Sequence, residues 1–105
     1  MIIFIEYLIN LVNKLTVVIK PVTNILYLSN RNVIQCFFNN TILNSTDVEF
    51  QLKNGSSSAL TQLSETSILI HSNDSLRGYI FCFICSVLQT SNVSSCYKME
   101  SKYAY

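Results

Sequence analysis

The stretch that decides the fold is Ser75-Leu76-Arg77-Gly78-Tyr79-Ile80-Phe81-Cys82-Phe83-Ile84-Cys85. It joins a polar turn to the most apolar run of the sequence, and its glycine can adopt positive φ just before that run. A continuous apolar run of this kind predicts a buried strand. A second run, Val33-Ile34-Gln35-Cys36-Phe37-Phe38, has the same character. Together the two runs predict two strands joined by a disulfide across one core.

The rest of the chain predicts further short strands separated by turns. Polar and apolar residues alternate cleanly over residues 47–53, which indicates a half-buried strand. Asn54-Gly55 follows at once and predicts a hairpin turn. Further strands are expected at 15–21, 24–29, 59–64, 66–71 and 96–103, with a turn at 89–94. About seven strands with regularly spaced turn signals predict an all-β sandwich or barrel.

The length of 105 residues, half of them hydrophobic, fits one domain that closes a core without a metal. Residues 1–13 are expected to form an apolar segment, either a degenerate signal or a short helix, because the run lacks a basic start and contains Glu6. Residues 14–105 are expected to form the domain. Neither residues 1–13 nor the run 79–88 is long enough to span a bilayer. The net charge of +1 argues against a nucleic-acid partner.

The chemistry-bearing residues are too scattered to predict catalysis. The single histidine, His71, has no nucleophile-elbow motif beside it and is expected to be a solvated strand-end residue. Asp47 and Glu49 share a strand face that is expected to face solvent. Cys82 and Cys85 have a zinc-ligand spacing, but neither a second such pair nor a nearby histidine accompanies them. We therefore expect no enzymatic activity, no metal and no cofactor.

Cysteines and glycosylation sequons indicate an extracellular glycoprotein. An even number of cysteines in a short chain is typical of a disulfide framework, and four cysteines allow three connectivities. The five Asn-x-Ser/Thr sequons fall in turn-like segments between apolar runs, where a glycan can be solvated. The cysteines are Cys36, Cys82, Cys85 and Cys96, and the sequon asparagines are Asn39, Asn44, Asn54, Asn73 and Asn92. Secretion or display on the extracellular surface is the expected localisation.

Three features resemble the immunoglobulin-like family of two-sheet sandwiches. They are Val33-x-x-Cys36, the apolar Phe50 fourteen residues later, and Asp74-Ser-Leu-Arg-Gly78-x-x-x-Cys82. The family usually packs a tryptophan on its disulfide; this chain has none, and Phe50 is its expected substitute. The family's tyrosine corner would fall at Ile80, and Tyr79 stands one position earlier.

The resemblance implies a disulfide between Cys36 and Cys82, because Gly78 stands four residues before Cys82, as in the family motif. Cys85 would then face outward and reach Cys96 on the next strand.

Under this arrangement Ile80 and Ile84 are expected to point into the core. The alternative pairs Cys36 with Cys85 and puts Phe83 in the tyrosine-corner position.

A narrower resemblance concerns Val33-Ile-Gln-Cys-Phe-Phe-Asn-Asn and Asn44-Ser-Thr-Asp-Val-Glu-Phe-Gln-Leu-Lys-Asn-Gly. These segments are similar to the amino-terminal domain of the integrin-associated protein family, which has relatives in poxviruses and other large DNA viruses. The resemblance implies a recognition domain for a host or self cell-surface protein, such as an immunoglobulin-like receptor, and so a viral modulator of host immunity. Its contacts are expected in the loops 39–46 and 89–95, with Gln89, Thr90, Ser91, Asn92 and Val93 as the partner-binding residues.

The alternative function is a structural or oligomerising sandwich without a receptor. Its interface would be a solvent-facing row of Tyr79, Phe81 and Phe83, since an exposed apolar row of this kind is typical of sheet-to-sheet contacts.

Overall fold

Eight strands account for most of the residues that the computed structural model describes, which are 16–39, 47–88 and 91–101. Two short 3-10 turns, Ser57–Ala59 and Asp74–Leu76, precede β5 and β7. The strands are β1 (Val17–Lys20), β2 (Ile25–Tyr27), β3 (Asn32–Phe38), β4 (Val48–Asn54), β5 (Leu60–Ser64), β6 (Ser67–Ile70), β7 (Ile80–Val87) and β8 (Ser91–Glu100).

The strands form two sheets of four that pack face to face. The first sheet has the order β1-β3-β6-β5 and the second has the order β2-β8-β7-β4. The strand pairs are antiparallel except β2 and β8, which run parallel. This is the two-sheet order of an immunoglobulin-like sandwich, with β2 added to the edge of the second sheet. The predicted all-β two-sheet sandwich is therefore confirmed.

The first two strands of the chain lie in different sheets. β1 forms an edge of the first sheet and β2 an edge of the second. Pro21 lies between them and has no N–H group to donate to a ladder. The prediction of an edge strand that ends and bends at this proline is confirmed.

The core lies between the sheets, and β7 contributes the most deeply buried row. Alternation along the strand turns Phe81, Phe83, Cys85 and Val87 inward, and all four have 0 % exposure. The ring of Phe83 lies 5.8 Å from that of Phe50 and 6.1 Å from that of Tyr97, measured between centroids. Phe50 stands opposite Cys85 in the β4–β7 ladder, so its predicted inward position is confirmed.

The predicted facing of β7 is wrong by one residue. Ile80 was expected in the core but is 55 % exposed, and Ile84 is only half-buried. Of the row expected to face solvent, only Tyr79 is exposed, whereas Phe81 and Phe83 are fully buried. A shift of one residue moves every side chain of a strand to the other face. The row that turns inward is the one whose two phenylalanine rings remove more apolar surface from water.

The Asn54-Gly55 dipeptide does not form the predicted hairpin. β4 pairs with β7 in the second sheet, whereas β5 pairs with β6 in the first, so the chain crosses between sheets here. Gly55 has φ +132°, and a Cβ atom at this position would stand 2.8 Å from Cδ1 of Phe81. A glycine is required because the backbone passes close to the core.

The hairpin between β7 and β8 is tighter than predicted. Val87 pairs with Ser91, so the expected turn at 89–94 is mostly strand, and β8 begins well before Cys96. Leu88 leads into the turn with φ 57°.

The predicted N-terminal segment 1–13, and its boundary with the domain 14–105, lie outside the described residues. Within the part of the chain that is described, no helix has the length and apolar character needed to cross a membrane.

Candidate protein-binding surface

One disulfide joins the two sheets through the core. Cys36 of β3 bonds to Cys85 of β7, with 6.3 Å between their Cα atoms, and both residues are buried. We call this pair the inner disulfide. The expected pairing of Cys36 with Cys82 is wrong, and the alternative pairing is confirmed. The reason is the facing of β7, because Cys85 lies on the inward face and Cys82 on the opposite face.

The inner disulfide places Phe83 two residues before the core cysteine, where an immunoglobulin domain often has its corner tyrosine. Phe83 has no hydroxyl group, and Tyr97 provides one from the neighbouring strand. Its Oη atom donates a hydrogen bond of 2.7 Å to the carbonyl oxygen of Pro21. Burial raises the pKa of Tyr97, and a hydrogen bond with the side chain of Ser95 opposes that shift. The contact ties β8 to the connection between β1 and β2.

The second disulfide lies on the solvent face of the second sheet. Cys82 and Cys96 stand directly opposite each other in the β7–β8 ladder, with 4.0 Å between their Cα atoms. Cys96 is exposed and Cys82 is half-buried. We call this pair the outer disulfide. The expected pairing of Cys85 with Cys96 is therefore wrong, because Cys96 bonds to Cys82.

All four cysteines are oxidised, so none offers a thiolate to a metal. Among the described residues, no group of three or more His, Cys, Asp or Glu side chains is placed to hold a metal ion. Two disulfides in a domain of this size are compatible with an extracellular location.

The sequon asparagines that the structure describes are all exposed. Asn39 and Asn92 lie at the end of the sandwich where β3 and β7 finish, and Asn54 and Asn73 lie at the opposite end. Asn44 falls outside the described residues.

His71 is exposed directly after β6, as predicted, and its Nε2 atom hydrogen-bonds the hydroxyl of Thr61. Glu49 faces solvent on β4, also as predicted.

The predicted partner-binding residues divide into two groups. Gln89 and Thr90 lie outside the described residues, as do residues 40–46 of the other predicted loop. Ser91, Asn92 and Val93 belong to β8 instead of a loop. Asn92 is exposed, whereas Val93 packs against the core, so this segment presents fewer side chains than a loop would.

A different part of the second sheet presents three exposed apolar side chains. Ile25 and Tyr27 of β2 and Ile80 of β7 are all exposed on its solvent face, and we call them the apolar patch. Lys98 of β8 stands between the two isoleucines, because the ladders pair it with both. The Nζ atom of Lys98 lies 3.6 Å from a carboxylate oxygen of Glu100.

Single exposed apolar residues are ordinary, whereas larger apolar areas on a surface indicate interaction sites. The patch is therefore a candidate for a binding surface. The outer disulfide lies beside the patch and fixes the register of β7 against β8. Sequence reasoning missed this surface because it assigned Ile80 to the core. Comparisons of the chain with protein-family models, with curated proteins and with solved structures find no match.

Proposed function

We propose that this chain is a non-enzymatic, secreted or surface-displayed glycoprotein domain that binds a host or self cell-surface protein. The observation that carries the proposal is the apolar patch, which lies on a sheet face locked by the outer disulfide. A rigid surface loses little conformational entropy on binding, which favours recognition.

One of the described sequons, at Asn92, lies well away from the patch. Asn92 and Lys98 lie on the same strand and six residues apart, which corresponds to about 20 Å. Asn54 is on β4, the edge strand farthest from β2. A glycan at Asn92 would therefore leave the patch open, whereas Asn54 stands opposite Cys82, two residues from Ile80, so a glycan there would lie beside the patch.

The chemistry of the patch defines the partner that it fits. The two isoleucines and Tyr27 would contact apolar side chains, and Lys98 would pair with a carboxylate at their centre. Complementary charges across an interface contribute to its specificity. The resemblance to the integrin-associated protein family makes immunoglobulin-like immune receptors the first partners to test, and so a viral immune modulator the first biological role.

The alternative function, an oligomerising sandwich without a receptor, was expected to use Tyr79, Phe81 and Phe83. The burial of Phe81 and Phe83 removes that interface.

The first experiment expresses the chain through a eukaryotic secretory route and compares its mass before and after enzymatic removal of N-glycans. A secreted, glycosylated product is expected, and an intracellular, unmodified product would contradict the proposal. The secreted protein is then screened against immunoglobulin-like receptors by surface plasmon resonance.

Variants of the patch test the contact surface. Ile25→Ala and Ile80→Ala are each expected to weaken binding by about fivefold or more, as truncation of a central contact does. Phe37→Ala is the matched control, because this exposed aromatic residue lies on the first sheet. Equal loss in all three variants, or no loss in the patch variants, would show that the patch is not the binding surface.

A further inference from the structure

The longest edge strand of the sandwich is β4, and one of its sides has no partner among the described strands. It spans seven residues at the end of the second sheet and pairs only with β7, in a ladder whose register shifts between Leu52 and Asn54. The other edge strands are shorter, with three to five residues each. An edge strand presents unpaired N–H and C=O groups along one side, and such an edge can accept another strand.

The sequence of β4 is complementary to itself when read antiparallel. With Gln51 opposite Gln51 of a second copy, Glu49 stands opposite Lys53 of that copy, and Lys53 stands opposite its Glu49. Glu49, Gln51 and Lys53 are exposed on the solvent face. Opposite charges that face each other across two strands stabilise the pairing, whereas like charges destabilise it.

The other face of β4 shows the same complementarity in its apolar residues. In this register Phe50 stands opposite Leu52 of the second copy, and both side chains point toward the core side of the sheet. The pairing would therefore continue the alternation of the sheet across the interface, with charged groups in solvent and apolar groups beneath.

A groove beside β4 provides room for an incoming strand. It has a volume of about 500 Å³ and lies between β4 and β5, the edge strands of the two sheets. Leu63 of β5 lines the groove and is 46 % exposed, so a strand added to β4 would cover it. The charged residues that line the groove, Glu49 and Glu65, are both acidic, which suits the approach of Lys53 from the second copy.

We propose that two copies of this chain dimerise by antiparallel pairing of their β4 strands, centred on Gln51. The contact is isologous, because the same strand is used by both copies, and each β4 edge is consumed by the other. The assembly therefore closes at two copies and does not grow into a filament. The dimer contact is separate from the apolar patch, which lies on β2 and β7, but it requires that Asn54 of β4 carry no glycan.

The test measures self-association by analytical ultracentrifugation over a wide concentration range, on protein freed enzymatically of N-glycans. This treatment keeps any glycan on Asn54, the last residue of β4, from blocking the edge. The unmodified sequence is expected to show a monomer–dimer equilibrium with no larger species.

Charge reversal separates this interface from any other. Lys53→Glu and Glu49→Lys each place like charges opposite each other at both symmetry-related pairs, so each is expected to weaken dimerisation by about tenfold or more. The double variant E49K/K53E restores opposite charges and is expected to restore dimerisation. Arg77→Glu is the matched control for Lys53→Glu, because it makes the same change of charge on an exposed residue outside β4.

Three outcomes would overturn the proposal. They are a monomer at every concentration, a dimer that is insensitive to the single reversals, and a double variant that stays as weak as the single variants. Circular dichroism of each variant establishes that the exposed substitutions leave the fold intact, so that the loss of dimer is assigned to the interface.

Discussion

Replacing Phe83 with alanine is expected to lower the free energy of unfolding by about 3–5 kcal/mol. The ring has 0 % exposure and lies between the rings of Phe50 and Tyr97, at 5.8 and 6.1 Å. Its removal leaves a cavity that the inner disulfide, joining the two sheets nearby, keeps from collapsing. Small domains have a net stability of about 5–15 kcal/mol, so this single change removes a large part of it.

Ile84→Ala is the matched control for this experiment, because Ile84 is the next residue of β7 and lies on the half-buried solvent face. This substitution is expected to lower the free energy of unfolding by about 1 kcal/mol, the central value for point substitutions. Urea unfolding with both disulfides intact measures the difference. With a slope near 2 kcal/mol per molar urea, Phe83→Ala lowers the midpoint by about 2 M, and Ile84→Ala lowers it by about 0.5 M. If Ile84→Ala costs as much as Phe83→Ala, the assignment of the inward face of β7 is wrong.

Three further changes test other parts of the structure. Mild reduction by a thiol reagent is expected to open the outer disulfide before the inner one, because the reagent can reach the exposed Cys96 but not the buried Cys36 and Cys85. Peptide mapping after alkylation identifies the order in which the two disulfides open. Gly55→Ala is expected to lower the free energy of unfolding, measured in urea, more than Gly78→Ala does. Both glycines have positive φ, but only a Cβ atom at Gly55 would meet a neighbour, the Phe81 ring at 2.8 Å. Equal losses of stability would contradict this. Tyr97→Phe is expected to cost about 1 kcal/mol at neutral pH through the lost bond to Pro21. Because burial raises the pKa of Tyr97, the neutral phenol stabilises the fold fully below a pH of about 10, and this stabilisation is lost as the pH rises through the raised pKa. Tyr97→Phe has no phenol to ionise, so it is expected to lose less stability in alkali than the unmodified protein.

Strand positions were predictable from the sequence because turn residues and apolar runs are local signals. The alternation in β4 and the apolar run in β7 both correspond to observed strands. Positive φ at Gly78, expected just before the central strand, is also observed. Pairing between strands was less accessible, because it depends on residues far apart in the sequence. Asn54-Gly55 shows this well, since the same dipeptide that favours a hairpin also fits a crossing between sheets.

The facing of β7 was the decisive error, and a signal for the correct choice exists in the sequence. Ser86 lies on the same face as Cys82, and a serine favours the solvent side. In β8 the polar residues Ser94 and Lys98 share a face with Cys96, which places that cysteine outside. A cysteine on the solvent face of β8 needs a partner on the solvent face of β7. Because Ser86 marks that face and Cys82 shares it, Cys82 is the partner of Cys96.

The apolar patch was less predictable because it depends on strand pairing. The apolar patch combines side chains from β2 and β7, which become neighbours only through β8 between them. Composition and motif spacing indicate a disulfide-linked sandwich, but they contain no information on which outward residues a parallel pairing of β2 and β8 will bring together.

β7 links the two disulfides because its cysteines stand three residues apart and so face opposite sides of the sheet. Through Cys85 it is bonded to the first sheet, and through Cys82 to its neighbour β8. On the chain-entropy estimate, the inner link spans 49 residues and stabilises the fold by about 4 kcal/mol, and the outer link spans 14 residues and contributes about 3 kcal/mol. The two links hold β3, β7 and β8 together, whereas β2 and β4 have no disulfide and are held by their ladders and by core side chains such as Leu26 and Phe50. The proposed surfaces therefore use strands at the margins of a covalently fixed centre: the apolar patch extends onto β2, and the dimer contact uses β4. Substitutions of exposed residues on either proposed surface are therefore expected to alter binding without disturbing the core.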